Sequence, residues 1–143
     1  MKKLSDKLRE EIVGKRCENF RFVEGGTLIL YLRASPERSE LPDETFWIDC
    51  AWRLRATVDV LVGSLDSPDR VLVQLKRLVG LMLSDARVAD VTTDLSLSFS
   101  DGLILETFCH STEIELWELR RSDGYRLGVG SSVEPYERTE GGT

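Results

Sequence analysis

The two halves of this 143-residue chain carry the same order of sequence elements. Each half has a Val-Gly pair, then alternating apolar runs, then a strand that contains Trp-x-Leu. The copies are offset by 66, 67 and 65 residues at three matched pairs of positions, which are Gly14 and Gly80, Leu28 and Leu95, and Trp52 and Trp117. Near-constant spacing is typical of two copies of one unit that share a core. The repeat therefore accounts for most of the apolar residues as structural residues and leaves few for a functional site.

Each predicted repeat opens with a helix that a glycine ends. Residues 5–13 predict the first helix, with Ser5 as its N-cap and Gly14 after its last turn. The second begins at Ser67-Pro68, because proline fits the first helical position, where its missing N–H costs nothing.

Three predicted hairpins share a three-residue loop that ends in glycine. Facing apolar residues on the two strands require this loop length, and glycine supplies the left-handed conformation that the turn needs. A further alternating run, from Ala51 to Val62, predicts one strand. The first predicted loop is 24–26, with Phe22 opposite Leu28 and Phe20 opposite Leu30. The second is 100–102, with Phe99 opposite Leu103. The third is 122–124, with Trp117 opposite Val129 and Leu119 opposite Leu127.

These elements predict an α+β fold. Two pseudo-repeats, each a helix plus an antiparallel β-meander, would form one curved sheet or half-barrel with the helices on one side. We expect a single domain over residues 1–132, with repeat one at about 5–62 and repeat two at about 67–130. Residues 133–143 are rich in Gly and Glu and predict a disordered tail.

The net charge of −6 is concentrated in one segment. Residues 85–118 hold eight acids and one base, Arg87, so this segment carries −7 and the rest of the chain +1. An acidic balance disfavours nucleic acid as a partner, since the phosphate backbone is bound by Lys and Arg. It favours a basic protein partner, which an acidic sheet face would attract, although solubility alone would also explain such a face.

Trp47 is the one tryptophan without a counterpart in the other repeat, whereas Trp52 and Trp117 occupy matched positions and are predicted to lie in the core. Trp47 follows a proline-bounded loop and is a candidate binding anchor, or else closes the end of the sheet. The predicted partner-binding residues are Asp101, Glu106, Glu113, Glu115, Glu118 and Trp47.

No pattern in the chain predicts a metal, a cofactor or an enzyme. Cys17, Cys50, Cys109 and His110 lack the close ligand pairs typical of structural zinc sites. Nucleophile-elbow, phosphate-loop and dinucleotide fingerprints are missing from the sequence. No run approaches the roughly 20 apolar residues of a membrane span, and the N-terminus lacks a signal-peptide pattern. We therefore expect a cytoplasmic protein with reduced thiols.

The pattern resembles that of small uncharacterised bacterial α+β domains with two β-meander repeats. The resemblance runs from Leu75 to Gly130 and includes Val79-Gly80, the run from Asp94 to Gly102, and Trp117-Glu118-Leu119, with Trp52-Arg53-Leu54 in the first half. Some domains of this appearance act as immunity proteins against bacterial toxins. The group has no assigned catalytic residues, so the resemblance implies none here.

The leading hypothesis is a non-catalytic protein-binding domain of immunity or antitoxin type, whose acidic face binds a basic partner such as a toxin. The alternative is a small-molecule-binding or accessory module with a pocket between the repeats, lined by Trp47 and Cys50. A third is an enzyme that uses Cys109 and His110. A homodimer through an exposed sheet edge is also possible on this pattern.

Overall fold

Antiparallel strands dominate the fold of this protein, whose computed structural model describes residues 3–23, 25–34, 42–108, 116–130 and 134–139. Two helices span Leu4–Ile12 (α1) and Pro68–Leu75 (α2), and a 3-10 helix at Lys76–Leu78 follows α2. The strands are Arg16–Val23 (β1), Thr27–Arg33 (β2), Glu44–Ile48 (β3), Ala51–Arg55 (β4), Val60–Gly63 (β5), Leu83–Val88 (β6), Leu95–Phe99 (β7), Ile104–Phe108 (β8), Trp117–Arg121 (β9), Tyr125–Val129 (β10) and Pro135–Thr139 (β11).

The strands form two antiparallel sheets, which confirms the α+β class and corrects the prediction of one curved sheet or half-barrel. Sheet A has the order β1-β2-β3-β9-β10-β11, and sheet B the order β5-β4-β8-β7-β6. Among the described residues neither sheet closes into a barrel. The chain changes sheet directly after β3, where the amides of Asp49 and Cys50 both donate to the carbonyl of Leu116 at 3.0 and 3.2 Å. This corner separates strands that periodicity alone would join.

Each sheet draws strands from both halves of the chain. The first half places β1, β2 and β3 in sheet A and then β4 and β5 in sheet B. The second half does the reverse, with β6, β7 and β8 in sheet B and then β9 and β10 in sheet A. The central contacts, β3 with β9 and β4 with β8, therefore join one half to the other.

The two halves also meet along a seam, formed by residues 14–17 and 80–83. The amide of Gly14 donates to the carbonyl of Leu83, and the amide of Leu83 donates to the carbonyl of Lys15. The amide of Gly80 donates to the carbonyl of Cys17, and the amide of Cys17 donates to the carbonyl of Leu81. All four distances are 2.8 Å, and Arg16 lies opposite Met82 between them. Gly14 and Gly80 have backbone φ angles of 92° and 91°, a conformation that residues other than glycine rarely adopt.

The predicted hairpin registers are confirmed. Phe22 lies opposite Leu28 and Phe20 opposite Leu30, while Trp117 lies opposite Val129 and Leu119 opposite Leu127. The amide of Phe99 donates to the carbonyl of Leu103 at 2.8 Å. The third loop residues have the positive φ that the turns require, which is 112° at Gly26, 76° at Gly102 and 97° at Gly124. By contrast, the predicted strand from Ala51 to Val62 is two strands, β4 and β5.

The matched tryptophans lie in the core, as predicted. Trp52 and Trp117 are each 1% exposed. Trp117 stacks on Phe46 with ring centroids 5.5 Å apart, and the ring of Phe22 meets Trp52 edge-on at 6.0 Å. Each indole N–H donates to a loop carbonyl, Trp52 to Gly26 at 3.0 Å and Trp117 to Thr93 at 3.1 Å. A tryptophan can therefore be buried here without losing a hydrogen bond.

Two local predictions at the chain ends are wrong. Ser5 lies inside α1 and does not cap it; its hydroxyl donates to the carbonyl of Val88 at 3.1 Å and accepts from the amide of Val88 at 2.8 Å. Residues 135–139 of the predicted disordered tail form β11, which pairs with β10 along its whole length. Backbone pairing and the ion pair from Lys7 on α1 to Glu137 (2.7 Å) hold this segment despite its polar composition. The other residues of that tail, apart from Glu134, lie outside the described residues.

Candidate functional site

The predicted partner-binding residues do not form one exposed acidic face in the described part of the chain. Glu113 and Glu115 lie outside the described residues, as do Cys109 and His110. Asp101 is exposed in the turn between β7 and β8. The other three are Glu106, half-buried on β8, Trp47, half-buried on β3, and Glu118, 3% exposed on β9.

Arginines from other parts of the chain pair with two acids of the segment 85–118, Glu106 and Asp85. The carboxylate of Glu106 accepts from Arg53 and from Arg55, both at 2.8 Å. Burial by itself raises the pKa of Glu106, but the hydrogen bonds from these arginines outweigh it and hold the pKa below its ordinary value. Asp85 likewise accepts from Arg9 at 2.9 Å. Arg9, Arg53 and Arg55 lie tens of residues from these acids in the sequence, so the linear pattern does not show the pairs; only Arg87, which also donates to Asp85 at 3.0 Å, is a near neighbour.

Glu118 is the centre of a larger ionic cluster on the outer face of sheet A. Its Oε1 accepts from Arg120 Nε at 2.5 Å and lies 3.3 Å from Arg126 Nη1. Its Oε2 accepts the hydroxyl proton of Tyr136 and lies 3.7 Å from Arg138 Nη2. Burial would raise the pKa of Glu118, but Tyr136 and Arg120 lower it below the ordinary value. The carboxylate is therefore ionised and is already bound by its own chain.

Gly128 allows Tyr136 to reach this carboxylate. In the register of sheet A, Gly128 lies between Glu118 on β9 and Tyr136 on β11. A Cβ at residue 128 would lie 2.5 Å from the carbonyl oxygen of Trp117 and 3.0 Å from the Tyr136 hydroxyl. Only glycine leaves the space that the tyrosine ring crosses.

Trp47 adds an aromatic surface beside the same cluster. It lies opposite Glu118 in the register of β3 and β9. The guanidinium carbon of Arg120 lies 4.1 Å from the centroid of the Trp47 ring, and the same carbon of Arg138 lies 4.8 Å from that of Tyr136. Stacking of this kind holds the plane of a guanidinium against an aromatic ring.

We call this surface the arginine face and define it as Arg120, Arg126 and Arg138 with Trp47 and Tyr136, around Glu118. A depression of about 290 Å³ on it is lined by Thr45, Trp47, Arg120 and Arg126, among others. The three arginine side chains are 36%, 23% and 47% exposed, in sequence order. With three cations and one anion, the cluster carries a net charge of +2 within a chain of net charge −6. The sequence reasoning missed these arginines, although Arg120 and Arg126 each follow or precede a buried leucine, Leu119 and Leu127, in an alternating strand pattern.

A second buried carboxylate lies on the inward side of sheet A. Glu44 is 1% exposed, and Lys15 donates a hydrogen bond to its Oε1. Its Oε2 is buried without a hydrogen-bond partner among the described residues. Burial raises the pKa of Glu44 to about 7, Lys15 opposes this rise, and the nearby carboxylate of Glu11 adds to it.

The described thiols are unsuited to nucleophilic chemistry at neutral pH. Cys17 and Cys50 are free and buried, and burial raises their pKa to about 12 and about 11. A thiol reacts as its thiolate, so both are nearly inert in the folded protein. Within the described ranges no group of three or more His, Cys, Asp or Glu side chains is arranged to hold a metal ion.

A pocket does lie between the two halves, but Trp47 and Cys50 do not line it. It is at the seam, has a volume of about 260 Å³, and includes Cys17 in its wall. The predicted lining is wrong because the tryptophan faces outward from sheet A and the cysteine is enclosed in the core.

No helix in the described part of the chain is long and apolar enough to cross a membrane. Comparison of the chain with protein-family models, with curated proteins and with solved structures found no match in any of the three.

Proposed function

We propose that this protein is a non-catalytic protein-binding domain and that its arginine face contacts an acidic segment of the partner. The observation that carries the proposal is the gathering of three guanidinium groups and two aromatic rings on one sheet face. Arginine, tryptophan and tyrosine are the residues most enriched at the energetic centres of protein interfaces.

The charge arrangement favours carboxylates as the groups recognised. Glu118 neutralises one of the three cations and holds them in place. Guanidinium groups bind carboxylates through two parallel hydrogen bonds, so the partly exposed guanidinium of Arg120 can accommodate a guest carboxylate. The sign of this partner is opposite to that predicted from the linear sequence, because three of the eight acids of residues 85–118, Asp85, Glu106 and Glu118, are paired with arginines of the chain.

The comparison of the two halves supports the same surface. We infer that the halves are copies of one unit, supported by the reciprocal hydrogen bonds at the seam and by the matched indole hydrogen bonds of Trp52 and Trp117. In this correspondence the place of Trp47 on sheet A is taken by Glu106 on sheet B, and β11 has no counterpart. The arginine face thus includes residues, such as Trp47 and those of β11, that are not repeated in the other half.

Titration with poly-L-glutamate tests the proposal. Trp47 is the only half-exposed tryptophan, so its fluorescence reports on the face. Arg120→Gln with Arg138→Gln should weaken binding about fivefold, as two exposed ion pairs of about 0.5 kcal/mol each imply. The control, Lys76→Gln with Arg77→Gln, removes the same charge from an exposed 3-10 helix and should change binding less than twofold. Equal losses in the two variants, or no binding by the natural protein, would exclude this function.

An immunity-type inhibitor with a basic partner is our second proposal. The net charge of −6 and the exposed position of Asp101 favour it. Poly-L-lysine replaces poly-L-glutamate in the same assay, and Asp101→Lys with Glu113→Lys and Glu115→Lys should slow its association and reduce the salt dependence. Tighter binding of poly-L-lysine than of poly-L-glutamate would favour this proposal over the first. Its compartment would be the cytoplasm, with which the free thiols of Cys17 and Cys50 agree.

A further inference from the structure

The seam encloses a cavity whose walls come from both halves of the chain. Gly14, Arg16 and Cys17 line it from the first half, and Val79, Gly80 and Met82 from the second. The four seam hydrogen bonds satisfy the backbone groups behind it. Apart from the glycine and its two chain neighbours, no described residue has an atom within 4 Å of the position that a Cβ would take at Gly14 or at Gly80. The cavity therefore has a fixed backbone floor and open space above it.

The wall of this cavity is mostly apolar and partly uncovered. Val79 is 43% exposed and Met82 is 42% exposed, although both are side chains that burial would stabilise. Cys17 contributes a neutral thiol, since burial raises its pKa. A ligand with an apolar body would remove these surfaces from water. At about 260 Å³ the space is just below the 300–1,000 Å³ typical of drug-sized ligands, so the ligand is small.

Charge at the cavity selects the sign of the ligand. Arg33 is bound to Glu18 through two hydrogen bonds, one of them 3.3 Å long between Nη2 and Oε1, and these charges cancel. Arg16 is exposed and makes no hydrogen bond, ion pair or ring contact with any described residue. It lies opposite Met82 in the backbone pairing and is one of the residues that line the cavity. This arrangement leaves one positive charge beside an apolar space.

We propose that the seam cavity binds a small monocarboxylate with an apolar body, whose carboxylate pairs with Arg16 and whose body covers Val79 and Met82. The site is separate from the arginine face, so this inference does not depend on the proposed protein partner. It gives the module a ligand site between its halves that uses neither Trp47 nor Cys50.

Methyl NMR of the full chain tests the inference, because the protein has two methionines, Met1 and Met82. Octanoate, octanol and octylamine share one apolar body and differ in the charge of the head group. Octanoate should shift the Met82 methyl signal saturably, with about tenfold higher affinity than octanol, as a charge-assisted hydrogen bond provides. Octylamine should bind most weakly, and the Met1 signal should stay in place.

Two variants assign the head-group contact. Arg16→Gln should bring octanoate to within about twofold of octanol, while octanol binding is unchanged. Arg21→Gln removes the same charge from the same strand outside the cavity and should leave the octanoate preference intact. The proposal is overturned if none of the probes shifts Met82 saturably, if the three bind equally, or if the two variants behave alike.

Discussion

Tyr136 crosses Gly128 to donate its hydroxyl proton to the buried carboxylate of Glu118. The contact joins the last described strand of sheet A to the centre of that sheet. It also positions the three arginines of the arginine face, because Glu118 is the anion that they share. The stability of sheet A and the shape of its outer face thus depend on the same few atoms.

Substitution of Gly128 by alanine should destabilise the protein by about 2 kcal/mol, since overpacking a tight site costs about 1–3 kcal/mol. The added Cβ would lie 2.5 Å from the carbonyl oxygen of Trp117. Urea unfolding measures the change. Gly63→Ala is the matched control, because there the Cβ would lie 3.7 Å from the carbonyl oxygen of Trp52, an ordinary contact. Equal losses at the two glycines would contradict the close approach.

Removal of the Tyr136 hydroxyl should cost about 2 kcal/mol at pH 7, the range for a hydrogen bond to a charged group. The lowered pKa of Glu118 makes its contribution present above the unfolded-state pKa, and this contribution is lost as pH falls through the folded-state pKa. The difference between the natural protein and Tyr136→Phe should therefore shrink in acid. Unfolding free energies measured from pH 7 down to pH 3 check this, and a difference that does not change with pH would refute it.

The raised pKa of Glu44 predicts the opposite pH dependence of stability. Its pKa is raised in the folded state from 4.5 to about 7, so folding favours the protonated form. Its contribution to stability is complete below pH 4.5 and is lost as pH rises to about 7. Glu44→Gln should be less sensitive to pH in this window and should gain stability relative to the natural protein as pH rises. Thermal unfolding of both proteins at pH 5 and pH 8 gives the sign; an unchanged difference would show that Glu44 does not titrate there.

The thiols give a test of the remaining catalytic alternative. With pKa values of about 12 and about 11, Cys17 and Cys50 should react slowly with an alkylating reagent at pH 8 and rapidly after unfolding. Any fast thiol in the native protein must then be Cys109. Mass spectrometry of labelled Cys109→Ser should find no fast site. If Cys109 itself is not labelled at neutral pH, the hypothesis of an enzyme that uses Cys109 and His110 loses its nucleophile.

Local rules predicted the hairpins well. The pairing of Phe22 with Leu28 and of Trp117 with Val129 follows from alternation and loop length alone, and both pairs are observed. The same rules missed the turn between β4 and β5, because Val58 and Val60 continue the alternation although they are 88% and 59% exposed. Periodicity records which residues could face a core, and only tertiary contacts decide which of them do.

The candidate site was less predictable, because charge partners are set by strand order. Glu118 was identified in the sequence as part of an acidic face, yet Arg126 and Arg138 reach it from the two next strands of sheet A. That β3 and β9 would be neighbours, which brings Trp47 beside Arg120, could not be read from either strand alone. That Trp47 and Glu118 bind a partner stays a prediction; the sequence pattern did not show the three arginines that surround Glu118 in the structure.

The exchange of strands between the sheets has a consequence for how the chain folds. Since each sheet takes three strands from one half and at least two from the other, a fragment that ends after β5 would leave β3 and β4 without their central neighbours. The two pairings that join the halves, β3 with β9 and β4 with β8, link residues 49 to 77 positions apart, so they form only after large loops close, which slows folding. We therefore expect that a half made alone would complete neither sheet unless a second copy of itself supplied the missing strands.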